Sequence, residues 1–171
     1  MRICIWHGWL LEGTGSNVYT AHTAEAMREA GHDVVVLCQD IYPERYAFVD
    51  GWGSVGSEVS VPVDTGVAPA AGRVTMLRPD IGSLLPVFVY DEYEGFEVKR
   101  FVDLSDDELG RYMDANVTAV LAAVAWHRSD VLVTGHVVPG AAIGRRSVGE
   151  DGYVAKIHGS DVLAVPNLYG R

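Results

Sequence analysis

Basic residues are scarce in this chain: 13 lysines and arginines stand against 23 aspartates and glutamates over 171 residues, a formal net charge of −10. Nucleic-acid affinity comes mostly from Lys and Arg neutralising phosphates, so this balance argues against a nucleic-acid partner and leaves room only for a local basic site holding one small anion. Cysteine is scarcer still. Cys4 and Cys38 each sit in an apolar, strand-like run, where a thiol behaves as a small hydrophobe, and two cysteines make no disulfide framework. A long hydrophobic run is missing as well. The opening Met1-Arg2-Ile3-Cys4-Ile5-Trp6 is broken at once by His7 and Gly8, so it reads as neither a signal peptide nor a membrane span, and a cytoplasmic protein is expected. Repeats and low-complexity stretches are absent too. What remains is 49% hydrophobic and 21% charged, ordinary for a soluble domain, over a length that buries roughly two thirds of its unfolded surface in one compact unit.

Periodicity divides the chain into alternating strands and helices. Residues 2 to 6 are β-rich, Gly13 to Asn17 supply a turn, and Tyr19, Thr23, Ala26, Met27 and Ala30 form a helical stripe. Gly31 stands where a helix C-terminal glycine belongs, and Val34-Val35-Val36-Leu37-Cys38 reads as a parallel strand covered on both faces. These pieces make a βαβ unit, whose loop and helix N-terminus should lie at the carboxyl edge of the sheet. Between residues 40 and 100 the pattern weakens to short β-like runs at Val59 to Val63, Val74 to Leu77, Pro86 to Tyr90 and Phe96 to Phe101. The acidic residues Asp91, Glu92, Glu94 and Glu97 among them read as solvated surface. A second helix is announced by Ser105 and Glu108 as a capping box, with Leu104 and Leu109 as its hydrophobic staple. Its expected apolar face is Leu109, Tyr112, Met113, Val117, Val120, Leu121 and Val124, and its end is near Arg128. A strand at Val131 to Thr134, a small helix around Ala141 to Arg146 and a strand at Tyr153 to Ile157 complete the alternation. The fold class is α/β, an open and mostly parallel Rossmann-like sheet with helices on both faces.

Three histidines occupy equivalent places: His7 after the first strand, His136 after Thr134 and His158 after Ile157. Ligands of open parallel sheets bind outside the carboxyl ends of the strands, so all three are candidate site residues. Three imidazoles can hold zinc, but no His-x-His pair supports that reading and no metal is assigned. The turn Gly13-Thr14-Gly15-Ser16 before a helix suits a phosphate. As a dinucleotide fingerprint it lacks the third glycine, since Val18 stands there, although Asp40 past the second strand could imitate the ribose-binding acid.

In their order and spacing, Gly13-Thr14-Gly15, the segment Glu29-Ala30-Gly31-His32-Asp33-Val34-Val35-Val36, His136 and the turn His158-Gly159-Ser160-Asp161 resemble the N-terminal domain of GT-B glycosyltransferases of family 4. The resemblance spans nearly the whole chain. It implies one half of a GT-B fold, in which residues 1–171 form the acceptor-side domain and a second domain holds the nucleotide-sugar. It implies retaining transfer of a hexose, with no cofactor beyond that co-substrate. By the same resemblance His158 and Asp161 would serve catalysis and Gly13, Thr14, Gly15 and Ser16 would approach the donor diphosphate. His7, His136, Gly159 and Ser160 would line the substrate. The glutamate pair of the family's donor domain, spaced by seven residues, occurs nowhere in the chain, and no further helix is evident before Asn167-Leu168-Tyr169-Gly170-Arg171. These residues alone are therefore expected to be inactive and to expose an apolar interdomain face, on which copies of the chain could associate. The alternative is a stand-alone Rossmann-like module that binds a nucleotide or sugar phosphate without catalysis.

Overall fold

The computed structural model describes residues 1–65, 72–159 and 161–162. Ser160 of the His-Gly-Ser-Asp turn and the segment 167–171 lie outside the described residues. Nine strands and three α-helices are described: β1 (Arg2–Trp6), α1 (Gly15–Glu29), β2 (Asp33–Leu37), β3 (Gly51–Val55), β4 (Val59–Asp64), β5 (Arg73–Pro79), β6 (Leu84–Val87), β7 (Glu97–Arg100), α2 (Asp106–His127), β8 (Val131–Gly135), α3 (Gly140–Val148) and β9 (Tyr153–Lys156). Seven strands form one sheet in the order β4-β3-β5-β2-β1-β8-β9; β6 and β7 pair separately, parallel to each other. Every neighbouring pair in the large sheet is parallel except β3 with β4. The chain starts in the middle at β1, works outward through β2, and returns by α2 to β8 on the other side of β1. That reversal opens a crevice at the carboxyl ends of β1 and β8, the place where open α/β sheets bind ligands.

Alternation along the central strands sorts the core onto two faces. Ile3, Ile5, Val34 and Val36 pack with Ala21 and Ala24 of α1, while Cys4, Trp6, Val35 and Leu37 pack with Tyr112, Val120 and Ala123 of α2 and Ile143 of α3. A strand covered on both sides must be apolar at every position, which is why β2 reads as an unbroken run. Both cysteines are free and buried.

Two helices are rotated from the faces their apolar residues suggest. The buried positions of α1 are Asn17, Thr20, Ala21 and Ala24, and Tyr19 is half exposed. The period is helical but the phase differs, because Asn17 and Thr20 are drawn inward by hydrogen bonds to His7. In α2 the buried face includes Asn116 and His127, while Leu109 and Leu121 are exposed. Asn116 is inside because the Trp6 Nε1–H donates to its Oδ1 at 2.8 Å, and its own Nδ2–H donates to the Tyr112 carbonyl. The capping box at Ser105 and Glu108 forms on both sides, and α2 closes at Arg128 in the left-handed conformation.

Strand β3 is the element that composition hides, since Gly51-Trp52-Gly53-Ser54-Val55 looks like a loop. A Cβ on Gly53 would overlap the Ser60 carbonyl oxygen of β4, and the register shifts there between Trp52 and Ser54. Glycine is required for the two backbones to come this close. Strand β6 sits earlier than the run Pro86 to Tyr90 suggests, leaving Val89 and Tyr90 exposed beyond it.

An ion pair between half-buried Arg28 and buried Asp50 ties α1 to the β5 side of the sheet. Arg28 Nε and Nη2 donate to the two oxygens of Asp50 at 2.8 and 2.7 Å, and the Val74 N–H donates to the same carboxylate at 2.9 Å. Burial raises the Asp50 pKa, but these donors outweigh it and the net shift is downward.

Candidate functional site

The three strand-end histidines converge at the carboxyl edge. The ring centroids of His136 and His158 lie 4.4 Å apart, and those of His7 and His136 lie 6.4 Å apart. His136 follows β8 and takes a positive φ of 64°, a conformation uncommon outside glycine. Its Nδ1 lies 3.2 Å from Asp161 Oδ1. The other oxygen of Asp161 accepts the backbone N–H of His158 at 2.8 Å. This second bond resembles half of a capping box, because Gly159 and residues 161–162 have helical backbone and Asp161 reaches back to the residue before that turn. One buried carboxylate therefore orients a histidine from β8 and anchors the turn that carries a histidine from β9.

His7 plays a different part. It is fully buried, with Nε2 2.8 Å from Asn17 Oδ1 and Nδ1 3.2 Å from Thr20 Oγ1. The Asn17 Nδ2–H donates to the Glu12 carbonyl at 2.7 Å, which turns Oδ1 toward His7 and makes Nε2 the protonated nitrogen. Both ring nitrogens are thus engaged by the protein, and His7 holds Asn17 against the glycine turn instead of offering a nitrogen to a ligand.

Burial holds these imidazoles neutral. It pushes the His7 pKa down to about 4, against the opposing hydrogen bond that Nε2–H donates to Asn17. His158 is also lowered to about 4, by burial first and then by His136 and Lys156. His136 is lowered by burial while Asp161 opposes. A histidine that is neutral when folded and protonated when unfolded stabilises the protein fully above the unfolded value near 6.5, and that stability is lost as pH falls toward 4. His7 alone should remove about 3 kcal/mol across this window. The other two act in the same direction. Urea unfolding at a series of pH values checks this, and a stability flat between pH 7 and pH 4.5 would contradict it.

Beside the histidines lies a pocket of about 180 Å³ whose walls include Trp9, Thr14, Ser16, Phe88, Tyr93 and His136. Asn17 also lines it. Trp9, Asn17 and Phe88 are not recognisable as site residues in the sequence. Trp9 is two residues past His7, but nothing local shows that its Nε1–H bonds to the Pro86 carbonyl and so turns the ring toward Phe88. By sequence Trp52, Tyr90 and Tyr93 could stack on a sugar or equally be packing residues; Tyr93 reaches the pocket, Trp52 packs against the core on the α1 side of the sheet, and Tyr90 is exposed.

The glycine turn faces the same pocket. Thr14 precedes α1 in extended conformation without a side-chain cap, no acidic residue sits in the first turn, and the hydroxyls of Thr14 and Ser16 lie 3.1 Å apart. An uncapped helix start with two hydroxyls suits an anion. Gly13 needs its positive φ of 90°, whereas Gly15 has ordinary φ and no atom within 4 Å of where a Cβ would stand, so only an approaching molecule would require glycine there. Lys156 lies over the Tyr19 ring next to His158. Gly159, also a candidate, is exposed with open space around it.

Comparison with protein-family models, with curated proteins and with solved structures finds no match. The geometry itself narrows the choices. Asp40 cannot act as a free ribose-binding acid, because its oxygens accept the N–H groups of Leu11 and Tyr42 and the Tyr46 hydroxyl. Among the described residues, no three His, Cys, Asp or Glu side chains are grouped to hold a metal ion, and no helix is long and apolar enough to cross a membrane.

Proposed function

We propose that this chain is the acceptor-side, N-terminal half of a retaining glycosyltransferase that moves a hexose from a nucleotide-sugar to a small-molecule acceptor. The observation that carries the reading is the meeting, at the strand-order reversal, of an uncapped helix start after a glycine turn with the His136–Asp161–His158 cluster. The leaving nucleoside diphosphate needs donors already in place as charge develops, and the N–H groups at the start of α1 with the Thr14 and Ser16 hydroxyls supply them. His158 contacts the transferred sugar, and Asp161 holds both histidines in register. Retention without a strongly nucleophilic side chain depends on such positioning. Supporting this, the Asp161 carboxylate is buried and engages its two oxygens with His136 and His158.

A second domain, supplying the remaining donor contacts, completes the enzyme. The protein encoded by the complete reading frame should release nucleoside diphosphate from one of the UDP-, GDP- or ADP-hexoses when given acceptor, whereas the 171 residues alone should release none. Transfer by the 171 residues alone would refute the dependence on a second domain. Tight unaided binding of a nucleotide, with no release by the complete protein, would favour the stand-alone binding module.

A further inference from the structure

A second pocket, of about 430 Å³, opens at the carboxyl ends of β2, β3 and β5. Its walls include Gln39, Ser54, Arg78, Asp80 and Phe96. Register explains how they meet: Ser54 of β3 pairs with Arg78 of β5. Along β5, Val74 and Met76 point into the core beneath α1; Arg78 lies two residues further on the same face, where that core has ended and the side chain is exposed. Gln39 forms a fixed wall, because its buried Nε2–H donates to the Pro79 carbonyl at 3.0 Å. Gly82 and Gly95, both with positive φ, turn the chain at the rim.

Arg78 is one of three described arginines, with Arg111 and Arg128, that form no ion pair among the described residues, and it lines this pocket. Seven other arginines are ion-paired with an Asp or Glu. Arg78 has no ion pair or hydrogen bond among the described residues, even though Asp80 lines the same pocket; the Asp80 carboxylate instead receives the Gly82 N–H at 3.4 Å. A guanidinium in a concave, polar site with no protein carboxylate on it presents its donor fork to whatever enters, and that fork matches carboxylate or phosphate. Ser54, Gln39 and Asp80 around it offer hydrogen-bonding groups for hydroxyls. The volume falls within the range of about 300–1,000 Å³ found for small-molecule sites.

We infer that this pocket binds a hydroxylated small anion, a sugar or polyol bearing a phosphate or carboxylate, with Arg78 on the anionic group. β5 lies three strand spacings, about 14 Å, from β8, which carries His136 on the same edge of the sheet. That distance suits an acceptor anchored at Arg78 and reaching toward His136; this extension rests on the transferase reading, while the binding itself does not.

Titrating the ¹⁵N-labelled chain with glucose 6-phosphate, glucuronate and glucose tests it, following the amides of Ser54, Arg78, Gly82 and Gly95. One or both anions should shift those amides saturably, and glucose should bind at least about tenfold more weakly. The tighter of the two anions identifies the group as phosphate or carboxylate. Arg78→Gln, at an exposed and unpaired position, should fold normally and weaken the anion about tenfold or more; Ser54→Ala should weaken it less. No saturable shift with either anion, equal binding of glucose, or unchanged affinity in Arg78→Gln would overturn the proposal. Failure here leaves release of nucleoside diphosphate untouched, and absence of that release leaves the titration standing, so the two readings fall separately.

Discussion

Replacing Arg28 with alanine should cost up to about 3–5 kcal/mol of stability, the range for leaving a buried charge without its partner. The cause is the carboxylate left behind. Asp50 is 5% exposed, and two of its donors come from one guanidinium; without Arg28 only the Val74 N–H remains of the hydrogen bonds described to the carboxylate. Asp50 also spans elements, since its backbone N–H donates to the Val74 carbonyl and its carbonyl accepts from Thr65. The loss should therefore loosen the contact of α1 with β5 as well as the charge pair. The pH dependence separates this from simple loss of packing. Asp50 has a lowered folded pKa, so its contribution is present above the unfolded carboxylate value of about 3.9 and is lost as pH falls through the folded one. The gap between wild type and Arg28→Ala should accordingly shrink in acid. The double variant Arg28→Ala with Asp50→Asn should recover part of the loss, because burying the amide costs far less than burying the charge. A urea-measured cost under about 1 kcal/mol, within the range of exposed pairs, would contradict the argument.

Asp161→Asn carries the second large effect, and on the proposed transferase reading it falls on chemistry. In the native site both carboxylate oxygens accept, one from His136 Nδ1–H and one from the His158 N–H. An amide keeps the shape but presents N–H toward one of these donors, so either the His136 proton moves to the other nitrogen or the turn at His158 shifts. On the proposed transferase reading, turnover of nucleotide-sugar should fall by about 10²–10³, the usual cost of losing one preorganised polar group at developing charge. The ¹⁵N spectrum of the imidazoles reports the cause independently of activity. Wild type should show His136 protonated at Nδ1, and Asp161→Asn should move that proton or broaden the signal. Unchanged turnover with a changed tautomer would remove Asp161 from the catalytic role while leaving its orienting role in place.

Much of the architecture is legible before folding because the signals are local. An unbroken apolar run such as Val34 to Leu37 can only be a strand covered on both faces, Gly31 meets the positive φ of 85° after α1, and the capping box at Ser105 needs only residues three apart. The recurrence of histidine after three parallel strands likewise places His7, His136 and His158 on one edge, since every strand of a parallel set ends on the same side. Where they stand along that edge is not legible. Strand order depends on which faces bury each other, and only the order with β8 beside β1 and β9 beyond it stacks His136 on His158.

The partners of those residues come from far along the chain, and that is where sequence reasoning stops. Asn116 is inside α2 because of Trp6, Trp9 faces the pocket because of Pro86, and His7 is neutral and enclosed because α1 brings Asn17 and Thr20 to it. The apolar stripe of α1 points the other way, since hydrophobicity counts methyl groups and does not register a buried histidine that needs hydrogen-bond partners. Local pattern alone determined the α/β class, the sites of the turns and the edge on which the three histidines gather. Tertiary structure decided which histidine meets Asp161, which is sealed away, and which arginine lines a pocket beside Ser54, because those outcomes depend on distances between residues that only packing brings together.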